Sequence, residues 1–524
     1  MKSTVLFFCF AIVLPGFRYA GGARILGIFP LQGKSHFNFH TEVMKSLADA
    51  GHRVDVVSHF PLSKPHANYT DIISLAGSGM VVLNNMGYEM LATIAGGSLK
   101  ELTDIAGTEV CRFMEKPEMR NLIENPPNDP KYDLVIVEYF VANCYFAFGR
   151  HLNVPLIALS SASIMPLANE ELGNPDDPAY IFELNERPIS GITFWQRLHN
   201  TVITIFSKIT LSYYLKEQNA LVKKYFGPDM PGVDVLARDI SLLIVNTHHV
   251  IHGIRPLTPA IVSAAGIHIH DDKNPLPRDL QKWLDESKDG FVYMSFGSMV
   301  RMETFPKEFL GEVYAAFEKI APLRVLLKIA KPEELPAGLP KNVLTRPWLP
   351  QIGVLKHKNI KAFISHGGLG GVLESLRYSV PLIGLPLFGD QLTTIAACAN
   401  REIALKLDYK KLTSEELASA VKKIVYDPKY KLKKHDRTVG GIYGPTEQPA
   451  RNQRILDRIY TETWGRFPTI SGRTTDLVAN GITRRLRIHN RSDTLGNLRR
   501  QVNCFENIAN DFQNERASEI VEKN

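Results

Sequence analysis

The sequence predicts an α/β protein built from two doubly wound, Rossmann-like domains. Short apolar segments, which suit buried parallel strands, alternate with helical segments in both halves of the chain. Near the amino end, a strand at 24–30, a helix from about His40 to Ala50 and a strand at 52–58 form one β-α-β unit. With 524 residues and 44% hydrophobic side chains, the chain is long enough for at least two domains with separate cores.

Further strands and helices continue this alternation. A helix is expected at 140–151, just after Glu138, and a long amphipathic helix or helix pair at 194–226. In the second half, a strand at 361–365 leads into a helix at 369–379. The remaining predicted strands are at 132–137, 155–160, 239–245, 290–295, 324–329 and 382–386.

The ends of the chain differ in composition from its body. Residues 1–23 resemble a secretory signal, with Lys2 first, an apolar segment too short to span a bilayer, and Ala20 or Ala23 for cleavage. We expect a first domain at 24–265, a polar, proline-containing linker at 266–277 and a second domain at 278–432. The divergent, arginine-rich tail at 433–524 contains no apolar segment near the ~20 residues that a transmembrane helix needs.

The tail and the cysteines leave alternatives open. An alternative or misassembled carboxyl terminus is the favoured interpretation of the tail; a soluble tail and a basic arm for anionic partners are the others. The sequons at Asn68 and Asn490 fit a glycoprotein of the secretory pathway. The four cysteines outside the signal have no CxxC or zinc spacing, and buried free thiols are at least as expected as disulfides.

The most informative stretch of the sequence is 348–391. The strand at 361–365 is followed at once by His366, Gly367 and Gly368, and then by a helix. Ligands of α/β sheets bind at the carboxyl ends of the strands, glycines let a phosphate approach the backbone, and a helix amino terminus attracts negative charge. This junction predicts a diphosphate site, although most such turns are only tight connections.

Several separated motifs in this stretch carry a family resemblance. WLPQ at 348–351, SHGG at 365–368 and GLPLFGDQ at 384–391 resemble the donor-binding signature of the UDP-glycosyltransferases in its insect form. Gly370 departs from it, because many vertebrate members carry Asn there, near the phosphates. The resemblance implies these donor contacts: Trp348 on uracil, Gln351 on the uracil–ribose part, Ser298, His366, Gly367 and Gly368 on the diphosphate, Glu374 on the ribose hydroxyls, and Asp390 and Gln391 on the sugar.

The resemblance also implies a catalytic pair in the first domain. His36 lies in the loop after the first strand, and a lone histidine there is usually structural. In the family, the histidine of this loop is the general base, and an acidic residue orients it; by position this is Glu138. Asn143 stands where many insect relatives have Asp, which leaves the partner of His36 open. His59, after the second strand, has no such role in the family.

The resemblance implies a GT-B fold, in which two doubly wound domains face a cleft. The implied reaction is an inverting, metal-independent hexosyl transfer of the EC 2.4.1 type, with His36 deprotonating an acceptor hydroxyl. UDP-glucose is the favoured donor, as a co-substrate, and the acceptor is a small lipophilic compound of the kind met in detoxification. No cofactor and no metal ion are expected. The alternative is a catalytically impaired protein that binds a UDP-sugar or a lipophile.

Charge and location complete the expectations. The net charge of +7 is modest, and no Lys/Arg–aromatic stripe runs through the body of the chain, so nucleic acid is not an expected partner. The signal places the protein in the endoplasmic reticulum lumen, without the membrane anchor that is usual in the family. The aromatic side of the helix at 194–226 is expected to face the core; a lid over the acceptor and contact with a membrane surface are the alternatives.

Overall fold

The computed structural model describes residues 22–79, 85–96, 99–182, 192–270 and 275–430. The predicted signal segment up to residue 21, the tail at 433–524 and the sequon at Asn490 lie outside these ranges. The strands are β1 (Arg24–Phe29), β2 (Arg53–Ser58), β3 (Tyr69–Ser74), β4 (Leu134–Glu138), β5 (Leu156–Ser160), β6 (Ile240–Val245), β7 (Ile261–Ser263), β8 (Phe291–Ser295), β9 (Arg324–Lys328), β10 (Val343–Arg346), β11 (Ile360–Ser365), β12 (Leu382–Gly384) and β13 (Ala404–Lys406).

Helices connect these strands and cover both faces of the sheets. They are α1 (Lys34–Asp49), α2 (Tyr88–Gly96), α3 (Leu99–Thr103), α4 (Glu109–Cys111), α5 (Pro117–Glu124), α6 (Ala147–Leu152), α7 (Pro166–Glu171), α8 (Phe194–Leu215), α9 (Asn219–Phe226), α10 (Val233–Leu236), α11 (His249–His252), α12 (Arg278–Asp285), α13 (Lys307–Lys319), α14 (Gln351–Lys356), α15 (Leu369–Arg377), α16 (Gln391–Ala399) and α17 (Ser414–Tyr426). Short 3₁₀ turns include Asn143–Phe146.

The strands form two parallel sheets, which give two Rossmann-like domains of the α/β class. The first sheet has seven strands in the order β3-β2-β1-β4-β5-β6-β7, and the second has six in the order β10-β9-β8-β11-β12-β13. All pairings between the named strands are parallel, and strands such as β1 and β4 are buried along their whole length, as helices on both faces require. The strand order reverses between β1 and β4, and again between β8 and β11, and these switch points are where such sheets bind ligands.

Several predicted boundaries differ from the structure. Helix α1 begins at Lys34 and not near His40, so His36 lies on the first helical turn and not in a loop. Its apolar face begins at Phe37, and packing of this face in the core extends the helix. Glu138 is the last residue of β4 and does not follow it. The helix expected at 140–151 is a 3₁₀ turn followed by the short helix α6.

One pair of cysteines is bonded. Cys111, at the end of α4, and Cys144, in the 3₁₀ turn after β4, form a disulfide, so of the two alternatives that the sequence left open, free thiols are wrong for this pair. Their Cα atoms are 6.1 Å apart, within the normal range for a disulfide. Sequence spacing could not show this pairing, because the sheet brings together two segments 33 residues apart. Cys398 is a buried free thiol.

The two domains contact each other through a short backbone pairing. The N–H of Met86, just before α2, donates to the carbonyl of Met299 (3.0 Å), and its carbonyl accepts from the N–H of Arg301 (2.9 Å). The N–H of Tyr88 donates to Oγ1 of Thr304 (2.8 Å). A segment of the first domain is therefore attached directly beside the loop that follows β8.

Helix α8 exposes the face that was expected to be buried. Its buried residues are mainly small or polar: Asn200, Thr204, Ser207, Leu211 and Leu215. Its exposed large apolar residues begin with the adjacent pair Phe194 and Trp195 and then follow at intervals of three to four positions, which forms a stripe along the helix: Leu198, Val202, Ile205, Ile209 and Tyr213. The core interpretation is therefore wrong for this stripe. Among the described residues, no helix is long and apolar enough to span a membrane.

Candidate active site

The first cluster of site residues lies at the switch point of the first sheet. His36 follows β1, and Glu138 ends the neighbouring strand β4. Nδ1 of His36 lies 2.8 Å from Oε1 of Glu138, and the two side chains are 25% and 5% exposed. Phe140 packs with its ring against the imidazole, at a centroid distance of 5.3 Å and nearly perpendicular. The Glu138 carboxylate and the Phe140 ring thus hold the imidazole, and a quarter of the His36 side chain stays exposed.

Electrostatics determine which nitrogen of His36 carries the proton. Burial opposes the charge of Glu138, but His40 and the hydrogen bond from His36 together hold the pKa of this carboxyl below its usual value. His40 itself is fully buried, and its burial lowers its pKa to about 4, so it is neutral at neutral pH. Because the ionised Glu138 only accepts hydrogen bonds, Nδ1 of His36 donates to it. In the neutral form of this tautomer, the lone pair is on the other nitrogen, Nε2, where a general base needs it.

Neither Asn143 nor His59 takes the place of Glu138. Asn143 is buried in the 3₁₀ turn, and its Oδ1 has no hydrogen-bond partner among the described residues. Nε2 of His59 lies 2.8 Å from the carbonyl of Pro30, which makes its role structural. Of the two partners that the sequence left open for His36, the one in contact is Glu138.

The second cluster lies at the switch point of the second sheet, around His366. Gly297 and Ser298 follow β8, and His366 follows the adjacent strand β11. A Cβ atom on Gly297 would lie 2.8 Å from the imidazole, and one on Gly368 would lie 2.7 Å from it, so the ring fits only between two glycines. Gly367 has a φ of +90°, and a Cβ there would lie 2.4 Å from Ile395. These glycines are thus required by the packing of the turn.

The charge at this turn comes from a residue that the sequence analysis missed. Burial, with a smaller contribution from nearby Lys328, lowers the pKa of His366 to about 4, so this ring is neutral and offers hydrogen bonds only. Lys328 ends β9; its Nζ donates to the carbonyl of Gly297 (2.9 Å) and lies 5.6 Å from the centroid of the Trp348 ring. The sequence did hold a signal for this residue: a lysine ends the buried segment RVLLK, at the carboxyl edge of a sheet where ligands bind.

The nucleotide side of the turn is a connected polar network. The Trp348 ring is 52% exposed beside it. Nε2 of Gln351 donates to Oε2 of Glu374 (2.7 Å), and the hydroxyl of Tyr293 donates to Oε1 of Gln351 (3.0 Å). Nε2 of His268, in the linker, lies 3.3 Å from Oε1 of Glu374. Glu374 is thus bonded to Gln351, which follows Trp348 by three residues, and His268 and Tyr293 belong to the same network.

Asp390 directly precedes α16. Burial raises the pKa of its carboxyl, and His36 in the first domain acts in the opposite direction. Oε1 of Gln391 accepts from the amides of Leu387 (2.9 Å) and Phe388 (3.1 Å), so this side chain also fixes its own loop. Hydroxyl recognition by Gln391 would thus fall mainly to its amide nitrogen. No group of three potential metal ligands is assembled within the described ranges.

A doubly wound pair of domains with these two polar switch points is the arrangement of a GT-B glycosyltransferase. The family model described as UDP-glucoronosyl and UDP-glucosyl transferase matches residues 33–435. The chain therefore belongs to the UDP-glycosyltransferase family and is a glycosyltransferase, as the resemblance implied. Members of this family use UDP-sugars as donors.

Similar proteins come from insects, viruses and plants. UDP-glucosyltransferase 2 of Dactylopius coccus is 36% identical over 416 residues, 78% of this chain and 79% of the relative. The ecdysteroid UDP-glucosyltransferase of Mamestra brassicae nuclear polyhedrosis virus is 27% identical and covers 81% of each chain. The solved structure of Phytolacca americana UGT2, complexed with UDP-2fluoro-glucose and pterostilbene, has a TM-score of 0.56 at 18% identity, covering 84% of this chain and 99% of that one. This last likeness establishes the fold.

Proposed function

We propose that the protein transfers glucose from UDP-glucose to a hydroxyl group of a small lipophilic acceptor, with inversion and without a metal ion. The observation that carries this proposal is the pairing of His36 with Glu138 at the switch point between β1 and β4. A candidate base thus lies at the edge of the first sheet where such sheets bind ligands. Glucose as the sugar is supported by the names of the insect and viral relatives.

The proposed chemistry begins with His36. Its unprotonated Nε2 accepts the proton of the acceptor hydroxyl as the oxygen attacks the anomeric carbon of the sugar. The imidazolium that forms is stabilised by the buried carboxylate of Glu138, which already accepts a hydrogen bond from Nδ1–H. The bond from the anomeric carbon to the UDP oxygen breaks on the opposite face, and this direct displacement inverts the configuration.

Leaving-group stabilisation falls to the second domain. The amides at the start of α15 and the turn at Gly367 and Gly368 can donate to the diphosphate, with Ser298 beside them. Lys328 supplies the positive charge that the neutral His366 lacks. Trp348 offers its exposed ring to uracil, Glu374 and Gln351 serve the ribose, and Asp390 and Gln391 serve the sugar.

Location and membrane contact are proposed with this function. We infer a cleaved signal at 1–23, the domain boundaries given above and passage through the endoplasmic reticulum lumen, where the disulfide Cys111–Cys144 would be stable. The apolar stripe of α8 is proposed to lie on a membrane surface. It has aromatic residues at both ends, Phe194 and Trp195 at one and Tyr213 at the other, and Trp195 is 73% exposed.

A donor comparison tests the function. The protein is incubated with a phenolic acceptor and, in parallel, UDP-glucose, UDP-galactose or UDP-glucuronate, and released UDP is measured together with the product's anomeric configuration. We expect fastest UDP release with UDP-glucose and a β-glucoside as the product. A retained α-configuration would contradict the mechanism, and preference for another sugar would contradict the donor assignment. UDP binding without turnover would favour a catalytically impaired binding protein.

A further inference from the structure

The segment that connects the domains carries a histidine that reaches the predicted ribose carboxylate. Nε2 of His268 lies 3.3 Å from Oε1 of Glu374, and the two side chains are 7% and 12% exposed. The nitrogen is buried and makes no well-formed hydrogen bond within the described ranges. A buried imidazole nitrogen in this state needs a polar partner, and the partner it faces is the group expected to bind the ribose hydroxyls.

The other oxygen of Glu374 is already occupied. Its Oε2 accepts from Nε2 of Gln351, and Gln351 is in turn held by the hydroxyl of Tyr293. The carboxylate is therefore fixed on one side by the second domain itself. On its other side, the only described contact at ion-pair distance comes from His268. This leaves one lone pair of Oε1 for a ligand hydroxyl that would lie next to the imidazole.

His268 is held in place by its neighbours in the chain. Ile267 is buried in the core of the first domain, and Ile269 is buried in the core of the second. Nε2 of His270 lies 2.5 Å from Oε2 of Glu42 on helix α1, the helix that carries His36. The linker is thus anchored in both domains on either side of His268, and the imidazole has little freedom to move away from Glu374.

The imidazole of His268 also lies close to the first turn of α15. A Cβ atom on Gly370 would lie 3.7 Å from Nε2 of His268, at ordinary contact distance. The ring is therefore placed between the linker and this turn.

We propose that His268 is a positioning residue of the donor site: it holds the carboxylate of Glu374 for the ribose hydroxyls of the UDP-sugar. The inference rests on the proposed function, because it assumes that uridine diphosphate binds at this carboxylate. It adds a residue from the linker to a site whose other predicted residues all come from the second domain. It predicts that loss of the imidazole weakens recognition of the ribose hydroxyls and leaves the base and the diphosphate contacts intact.

Calorimetry with two nucleotides tests this inference. The full-length protein, its His268→Ala and His268→Gln variants and a His357→Ala control are titrated with UDP and with 2′,3′-dideoxy-UDP. His357 is a suitable control because it is a partly buried histidine paired with another carboxylate, Asp285 (3.2 Å). We expect His268→Ala to weaken UDP binding about tenfold and dideoxy-UDP binding not at all, since only UDP offers hydroxyls to Glu374. His268→Gln should recover part of the loss.

The ratio of the two dissociation constants separates the outcomes. This ratio does not depend on the fraction of folded protein, so it can be interpreted even for a destabilised variant. Equal weakening of both nucleotides, or no change in either, would overturn the role of His268 while leaving the proposed function intact. If the wild-type chain bound no UDP, the proposed function would fail, and this inference with it. A ratio changed equally by His357→Ala would also contradict it.

Discussion

The pair formed by His36 and Glu138 is the residue-scale centre of the molecule. The sequence could predict both residues, because each lies at the carboxyl edge of a strand; His36 matches the family resemblance, and Glu138 aligns with it by position. It could not decide between Glu138 and Asn143, since that choice depends on which side chain the strand end aims at the imidazole. The structure gives the contact to Glu138, at 2.8 Å.

Replacing Glu138 by glutamine should separate orientation from charge. The amide oxygen can still accept a hydrogen bond from Nδ1–H, but a neutral amide cannot stabilise the imidazolium. We therefore expect kcat to fall by about 10²–10⁴-fold, with UDP binding unchanged. Steady-state kinetics with UDP binding measured in parallel check this. The matched comparison adds Asn143→Asp to the Glu138→Gln variant. If this double variant recovered the lost activity, position 143 would be identified as the working partner of His36.

Lys328 and His268 are residues that sequence reasoning missed. Neither belongs to a motif, and each becomes informative only when the fold places it beside the nucleotide side of the turn. Lys328 ends a strand that is otherwise apolar, and His268 lies in a linker whose contacts no pattern predicts. His366 shows the opposite case: the sequence indicated the residue, but only its burial shows that it is neutral.

The charge of Lys328 should make UDP binding depend on pH. Burial lowers the pKa of this ammonium group to about 8. Below that pH the lysine is charged and attracts the diphosphate; above it the attraction is lost, so the dissociation constant of UDP should rise by up to about tenfold per pH unit. UDP titrations from about pH 6.5 to about pH 9.5, a range that spans the pKa of Lys328, measure how the dissociation constant changes with pH.

Two controls accompany this titration. Lys328→Arg keeps its charge over the whole range and should remove most of the slope. Uridine, which has no diphosphate, should show little of it in the wild-type protein. A slope that persists in Lys328→Arg, or that uridine shares, would assign the pH dependence to another group.

At the scale of elements, the buried strands were the most predictable part of the fold. Strands such as β4, β8 and β11 are short apolar segments, and their predicted positions agree with the structure within about two residues. The sequence did not predict β3, β7, β10 and β13: the last three have only three or four residues, and β3 is only partly apolar, so all four depend on pairing with a neighbouring strand. The start of α1 was set by core packing and not by its own sequence pattern.

Helix α8 is the element whose environment was predicted wrongly. An amphipathic pattern reports that one face differs from the other; it does not say which face meets the core. Here the small and polar face packs inward, and the apolar stripe is exposed. The proposed membrane contact follows from this inversion, and it can be tested on the surface of the protein without disturbing its core.

The double variant Trp195→Ser/Ile205→Ser should weaken binding to phosphatidylcholine vesicles several-fold, because it removes two large exposed apolar side chains from the stripe. Flotation of vesicles with the wild-type and variant proteins measures this. Tyr426→Ser, at an exposed aromatic on α17, is the control and should bind like the wild type. Vesicle binding that is absent in the wild type, or unchanged in the double variant, would contradict the membrane proposal.

At the scale of the whole molecule, the two domains are joined by contacts between distant parts of the chain. The sequence predicted two doubly wound domains, since each repeats the strand–helix alternation. It could not predict the contacts that join them, such as the backbone pairing at Met86 or the contact between His270 and Glu42, because these link distant positions without any shared motif.

The most direct measurement is the turnover of a His36→Ala variant whose UDP binding is determined on the same sample. We predict a fall in glucoside formation of about 10²–10⁴, with a dissociation constant for UDP equal to that of the wild type, because the base lies in one domain and the nucleotide site in the other. Full turnover by this variant would contradict the central claim that His36 activates the acceptor.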